Sequence, residues 1–144
     1  KKKFDIILVS SLLHEITDPN DFMNKLYKCS QDSLIHINVP NANSFHRLLA
    51  FESGLIENLS EKSISNKLLQ QNNIYDLKSL KKLAESHGFS IINEGSFFIK
   101  PFTHEQMDYI FKSEKFDKRI IKGLSKMVNH LPQLGSEIFI DISK

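Results

Sequence analysis

The chain is poor in several residue types whose abundance would carry information. It has one cysteine, Cys29, among 144 residues. A single thiol excludes an internal disulfide and fits a reducing compartment. No stretch approaches the roughly 18–20 apolar residues needed to cross a bilayer. Neither sign of charge dominates, with 19 basic against 17 acidic side chains and a formal net charge of +2. Nucleic-acid and membrane attraction need a concentrated basic surface, so neither partner is expected. The five glycines form no phosphate-cradling loop, and no GxSxG elbow appears, which removes the usual nucleotide-triphosphatase and hydrolase signatures. The first apolar run follows Lys1-Lys2-Lys3 and contains Asp5, which does not read as a signal peptide. Cytoplasm is the expected location.

What is present is an alternation of strand and helix patterns. Phe4–Ser10, FDIILVS, is a nearly unbroken apolar run and predicts a strand buried on both faces. Asp18-Pro19 predicts a helix start, with Asp18 as N-cap and Pro19 in the first helical position. Phe22, Leu26 and Cys29 then recur at helical spacing, which predicts an amphipathic helix to about Ser30 with Cys29 in the core. Ser33–Val39, SLIHINV, predicts a second strand, closed by Pro40-Asn41. Strand, helix, strand with short connections is a βαβ unit with a right-handed crossover.

Further along, helices are expected near Ser44–Glu52 and Ser60–Gln70, with Gly54 between them. Asp76 caps a clearer helix over Leu77–Ser86, ended by His87-Gly88, with the glycine supplying a left-handed turn. A third strand over Phe89–Phe98 is expected to break at Glu94-Gly95. Two helices starting near His104 and Asp117 precede a last strand, Glu137–Ile142, in which Ile138, Ile140 and Ile142 alternate with Phe139 and Asp141. Four strands interleaved with helices predict an α/β sheet with both faces covered. The pattern opens on a central-type strand, so a bare sheet edge is expected. Natural proteins cover such edges, here by a homodimer or a swapped copy.

The segment FDIILVSSLLHEITDP (Phe4–Pro19) resembles the fourth strand and following loop of class I S-adenosylmethionine-dependent methyltransferases. IHINVPNANSFHRLLA (Ile35–Ala50) resembles the fifth strand and its continuation in one bacterial branch of that family. YDLKSLKKLAESHGF (Tyr75–Phe89) is similar to its penultimate helix entering strand six, and Lys100–Phe102 to a KPF turn. The resemblance spans essentially the whole chain. It implies the C-terminal half of a Rossmann-like fold: strands four to seven over residues 1–144, a mostly parallel sheet with a final antiparallel strand, and helices on both faces. Two departures matter. Where the family often has Leu-Glu-His, this chain has His14 then Glu15, so a metal role found in some relatives does not carry over. The GxGxG loop and the acidic ribose-binding residue of the cofactor half do not occur here, so the chain alone is expected to bind S-adenosylmethionine poorly.

Ligands of open α/β sheets bind beyond the carboxyl ends of the strands. The resemblance places Ser10, Ser11 and Leu12 beside the methionine part of S-adenosylmethionine, and His14 and Glu15 toward the methyl acceptor. Methyl transfer to a hydroxyl needs alignment and removal of a proton. Histidine suits the second task because its ordinary pKa of about 6.5 lies near working pH. His14 is thus the first candidate base, with Glu15 as its orienter or as the base itself. Otherwise His14 is a polar loop residue and Glu15 belongs to the helix start. Asn41 and Asn43 are candidates for substrate contact or for turn chemistry. His46 and Arg47 are candidates for an anionic substrate group, or a solvated surface pair. Lys100 and His104 belong to a lid or simply to a helix start.

His36, alternating with Ile35 and Ile37, reads as a satisfied core residue, and His87 and His130 as helix-end residues. No paired-histidine spacing and no second cysteine suggest a zinc site. The function expected is S-adenosylmethionine-dependent methyl transfer to a small-molecule acceptor, with oxygen as the candidate acceptor atom. The rival is a non-catalytic binding or assembly module of the same fold.

Overall fold

A computed structural model of the protein describes residues 3–59 and 72–144. The helix expected near Ser60–Gln70 lies outside the described residues. In chain order the elements are β1 (Ile6–Ser10), α1 (Pro19–Ser30), β2 (Leu34–Pro40), α2 (Phe45–Glu52), α3 (Leu77–Ser86), β3 (Ser90–Phe97), α4 (His104–Phe111), α5 (Arg119–Lys126), a single 3-10 turn (Met127–Asn129) and β4 (Glu137–Ser143).

Local signals set most of these boundaries. Asp18 accepts the amide of Asp21 at 3.0 Å, and Pro19 opens α1. Asp76 and Ser79 form a reciprocal capping box on α3. Gly88, just past α3, has φ +83, a left-handed conformation that glycine adopts at little cost.

The four strands form one sheet in the order β1-β2-β4-β3. β1 and β2 run parallel, with Val9 beside Ile37 and Ser10 beside Asn38. β4 inserts between β2 and β3 and is antiparallel to both. Three strands therefore share one direction, and the last opposes them. β3 is continuous through Glu94-Gly95, contrary to the expected break there. Its irregularity is a bulge between Ile91 and Asn93, and Gly95 instead makes room for the Phe139 ring across the ladder.

The core gathers on one face. Ile35, Ile37 and Val39 of β2 meet Ile138, Ile140 and Ile142 of β4, all fully buried against Met23 and Leu26 of α1 and Leu80 and Ala84 of α3. Burying each of these large aliphatic side chains contributes about 1.5–3 kcal/mol. β1 departs from the expectation of burial on both faces. Val9 is buried, but Ile6 is 60% and Leu8 71% exposed, because β1 is the edge of the described sheet and its second face has no helix packed on it there. Cys29 is also a correction. It is exposed, since the buried line of α1 runs through Met23, Leu26 and Ser30 and leaves position 29 on the flank. His36 is half-buried, with Nδ1 2.7 Å from Asp141, as a satisfied strand residue should be.

Candidate active site

The carboxyl ends of β1 and β2 lie side by side, and the candidate residues collect there. Ser11 follows β1 with φ +48, a left-handed turn that a non-glycine residue adopts at some cost. Its amide donates to the Asn38 carbonyl at 3.0 Å, so the bend is fastened to β2. Ser10, Ser11 and Leu12 are exposed, whereas Leu13 beyond them is completely buried. The turn thus presents two hydroxyls and an aliphatic side chain outward while Leu13 anchors the loop.

His14 is 5% exposed. Its Nε2 lies 3.9 Å from Glu15 Oε1, beyond hydrogen-bond length, while Glu15 is half-exposed. Its Nδ1 meets no hydrogen-bond partner among the described residues. Burial pushes the imidazole pKa below its ordinary value, with Glu15 and Glu137 pulling it partly back. The ring is therefore neutral at neutral pH. It lines a small cleft with Pro40, Asn41, Ala42, Arg47, Asn73 and Ile74.

Asn73 belongs to the segment leading into α3. The amides of Asn72 and Asn73 both donate to the His14 carbonyl, at 2.8 and 3.0 Å. The Asn72 side chain reaches the Glu15 carbonyl at 2.8 Å, and the Asn73 side chain reaches that of Ile16 at 2.6 Å. The β1–α1 loop is clamped from both sides. Sequence reasoning missed this clamp, and the only signal available was an Asn-Asn pair ahead of a helix start. Tyr75 also escaped notice. It is buried, and desolvation pushes its phenol up to about 12, so it stays protonated at neutral pH.

Asn41 and Asn43 perform turn chemistry. The Asn41 side-chain amide donates to the carbonyls of Gln133 and Gly135 at 2.9 and 2.8 Å, and its oxygen accepts the Asn43 amide at 3.0 Å. Asn43 in turn reaches Asp76 at 3.4 Å. Buried Asn41 thereby ties the end of β2 to the approach of β4. His46 and Arg47 occupy the first turn of α2 and are half-buried rather than solvated. His46 Nδ1 is 3.1 Å from Ser44 Oγ, and Arg47 Nη2 donates to the Leu59 carbonyl at 2.7 Å. Burial, then Lys100 and Arg47, push the His46 pKa to about 4.

No cluster of three or more metal-capable side chains occurs among the described residues. No described helix is long and apolar enough to cross a membrane. The Ser10–Leu12 turn, which resemblance alone assigns to S-adenosylmethionine, is exposed at the carboxyl end of β1. The chain's five glycines are scattered through the sequence, so no glycine loop of its own completes a cofactor site.

Comparison with solved structures finds likenesses to the fold of this chain, most of them S-adenosylmethionine-dependent methyltransferases. A methyltransferase from Mesorhizobium loti, dependent on S-adenosylmethionine, superposes with a TM-score of 0.56 at 11% identity, covering 99% of this chain and 62% of that one. Another from Archaeoglobus fulgidus gives 0.51 at 18% identity, covering 99% and 60%. The cyclase SpnF gives 0.50 at 8% identity, covering 99% and 50%. No family model and no curated protein matches the sequence. The chain thus has the Rossmann-like α/β fold of S-adenosylmethionine-dependent methyltransferases, and it spans about 60% of the length of the two methyltransferases described.

Proposed function

We propose that this chain is the acceptor-side half of an S-adenosylmethionine-dependent methyltransferase, corresponding to strands four to seven of that fold, and that it serves O-methylation of a small molecule. The observation that carries this reading is His14: a buried imidazole just past the carboxyl end of β1, held neutral by burial. Its Nδ1 has no hydrogen-bond partner among the described residues, and the residue lines a small cleft. When bound, S-adenosylmethionine supplies an activated methyl group on a sulfonium centre. The Ser10–Leu12 turn forms the wall on that side. The acceptor hydroxyl lies in the cleft, where Nδ1 accepts its proton and Glu15 favours the resulting imidazolium. Asn41 and Asn43 fix the far rim.

Calorimetric titration of S-adenosylhomocysteine into the full-length protein tests this. Micromolar binding supports the reading. A folded protein that does not bind it favours the second reading, a non-catalytic module of the same fold. The fold alone does not decide between them, because one fold hosts many functions. We further propose that this chain, folded by itself, pairs the open edge of β1 with a second copy. A monodisperse monomer in light scattering contradicts that pairing.

A further inference from the structure

β4 runs against its neighbours, so its first residue, Glu137, lies at the end of the sheet where β2 and β3 finish. Its ladder partners there are Pro40 of β2 and Phe97 of β3. Pro40 lines the same small cleft as His14, which places Glu137 one ladder position from the candidate site. Successive strand residues alternate between faces. Ile138 is completely buried in the core, so Glu137 belongs to the face opposite α1 and α3, together with Phe139.

On that face the carboxylate has no counter-charge. Glu137 Oε2 accepts from Asn38 Nδ2 at 2.8 Å, and Asn38 is itself buried. An amide satisfies a lone pair without neutralising a charge. Oε1 has no hydrogen-bond partner among the described residues, and Glu137 forms no ion pair with any of them. Its other neighbours are aromatic. Phe139 stacks on Phe97, with ring centroids 4.7 Å apart and planes at 17°. Gly95 permits this, since a Cβ there would lie 2.7 Å from the Phe139 ring. Phe97 remains 47% exposed. Cross-strand partners such as Phe97 and Glu137 hold their Cβ atoms about 4.5–5.5 Å apart. An aromatic face is electrostatically negative, so it offers nothing to the carboxylate but attracts a cation placed between them.

We propose that Glu137, oriented by Asn38, binds an ammonium group of the methyl acceptor together with the Phe97 ring, beside the His14 cleft. The assignment to an acceptor rests on the methyltransferase reading. The cation site itself does not. Glu137 supplies the counter-charge through Oε1, and Phe97 supplies a ring face for the carbon atoms next to the nitrogen. The acceptor class is then a molecule with both a hydroxyl, directed to His14, and an ammonium group, directed to Glu137.

The test uses the full-length protein, with the Phe97 ring followed by NMR during titration with ethylammonium chloride, against sodium chloride at equal concentration. The expected result is a saturable shift with ethylammonium alone. Glu137→Gln retains an oxygen for Asn38 and should weaken that binding about tenfold or more. Phe97→Leu, read at Phe139, should weaken it about threefold. Affinity for S-adenosylhomocysteine should be unchanged in both. No saturable shift, or equal affinity in Glu137→Gln, overturns the cation site while leaving the methyltransferase reading intact. Loss of S-adenosylhomocysteine affinity in a folded Glu137→Gln assigns the carboxylate to the cofactor's own ammonium and overturns its assignment to the acceptor. Ethylammonium binding without S-adenosylhomocysteine binding in the wild type overturns the methyltransferase reading and leaves the cation site standing.

Discussion

The backbone amide of Asn73 donates to the carbonyl of His14 at 3.0 Å, while the Asn73 side chain donates to Ile16 at 2.6 Å. One residue thus holds the candidate base through its main chain and the following turn through its side chain. Orientation of a catalytic imidazole depends on such support, because a misplacement on the order of 1 Å can cost about a hundredfold in rate.

Asn73→Ala removes only the side-chain bond and leaves both backbone bonds to His14. We expect a stability loss of about 1 kcal/mol, typical of one hydrogen bond. The fall in turnover should be larger than that loss implies, with affinity for S-adenosylhomocysteine retained. Urea denaturation and steady-state kinetics on the same preparation read both. Unaltered turnover would leave Asn73 a purely structural residue.

Gly135 sets up a second prediction. A Cβ there would lie 2.5 Å from Ser96 Oγ and 2.7 Å from the Phe97 carbonyl oxygen. The hydroxyl can swing away, but the backbone carbonyl is fixed in the β3–β4 ladder. Gly135→Ala should therefore destabilise by about 1–3 kcal/mol, the usual range for overpacking. Because the Gly135 carbonyl accepts from Asn41, the rim of the cleft should be disturbed as well. A thermal midpoint equal to that of the wild type would contradict the clash.

These two residues mark the limit of what the sequence made legible. Asp18, Asp76 and Gly88 act within a few residues of themselves, so helix ends could be read directly. The alternation of Ile138, Ile140 and Ile142 likewise predicted one buried face. The insertion of β4 between β2 and β3 could not be read, because pairing over a hundred positions leaves no local mark. The same holds for the role of Asn41, whose partners lie 92 and 94 residues away. Cys29 failed for a different reason. Helical spacing gives a stripe but not its width, and position 29 falls just outside it. His14 and Glu15 were legible only through resemblance to a family, and their burial and charge environment came from the fold.

Stability should depend on pH through His46. Its pKa in the folded protein is about 4, below the ordinary 6.5 expected of the unfolded chain. Between those values the unfolded chain binds the additional proton, so stability is complete above about pH 6.5 and falls as pH drops toward 4. After allowance for solvent screening of a half-buried group, the effect is on the order of 1 kcal/mol. The difference in urea midpoint between wild type and His46→Gln should therefore change between pH 7 and pH 4. A constant difference across that range would show that His46 is not held neutral by burial.

His14 allows the sharpest test of the proposed chemistry. Its ring is neutral because burial opposes charging more strongly than Glu15 and Glu137 favour it. A base with a lowered pKa remains unprotonated to lower pH, so the acidic limb of the rate profile should lie below the ordinary histidine value of about 6.5. Removing Glu15 takes away a raising influence, so Glu15→Gln should move that limb further toward acid. His14→Ala should reduce turnover by about 10²–10⁴-fold, the usual contribution of a general base, while binding of S-adenosylhomocysteine changes little. The pairing of these readouts matters. A structural loss would lower both, whereas loss of the base lowers only turnover. Turnover unchanged in His14→Ala would remove this residue from the mechanism, and an acidic limb indifferent to Glu15→Gln would remove Glu15 as its electrostatic partner.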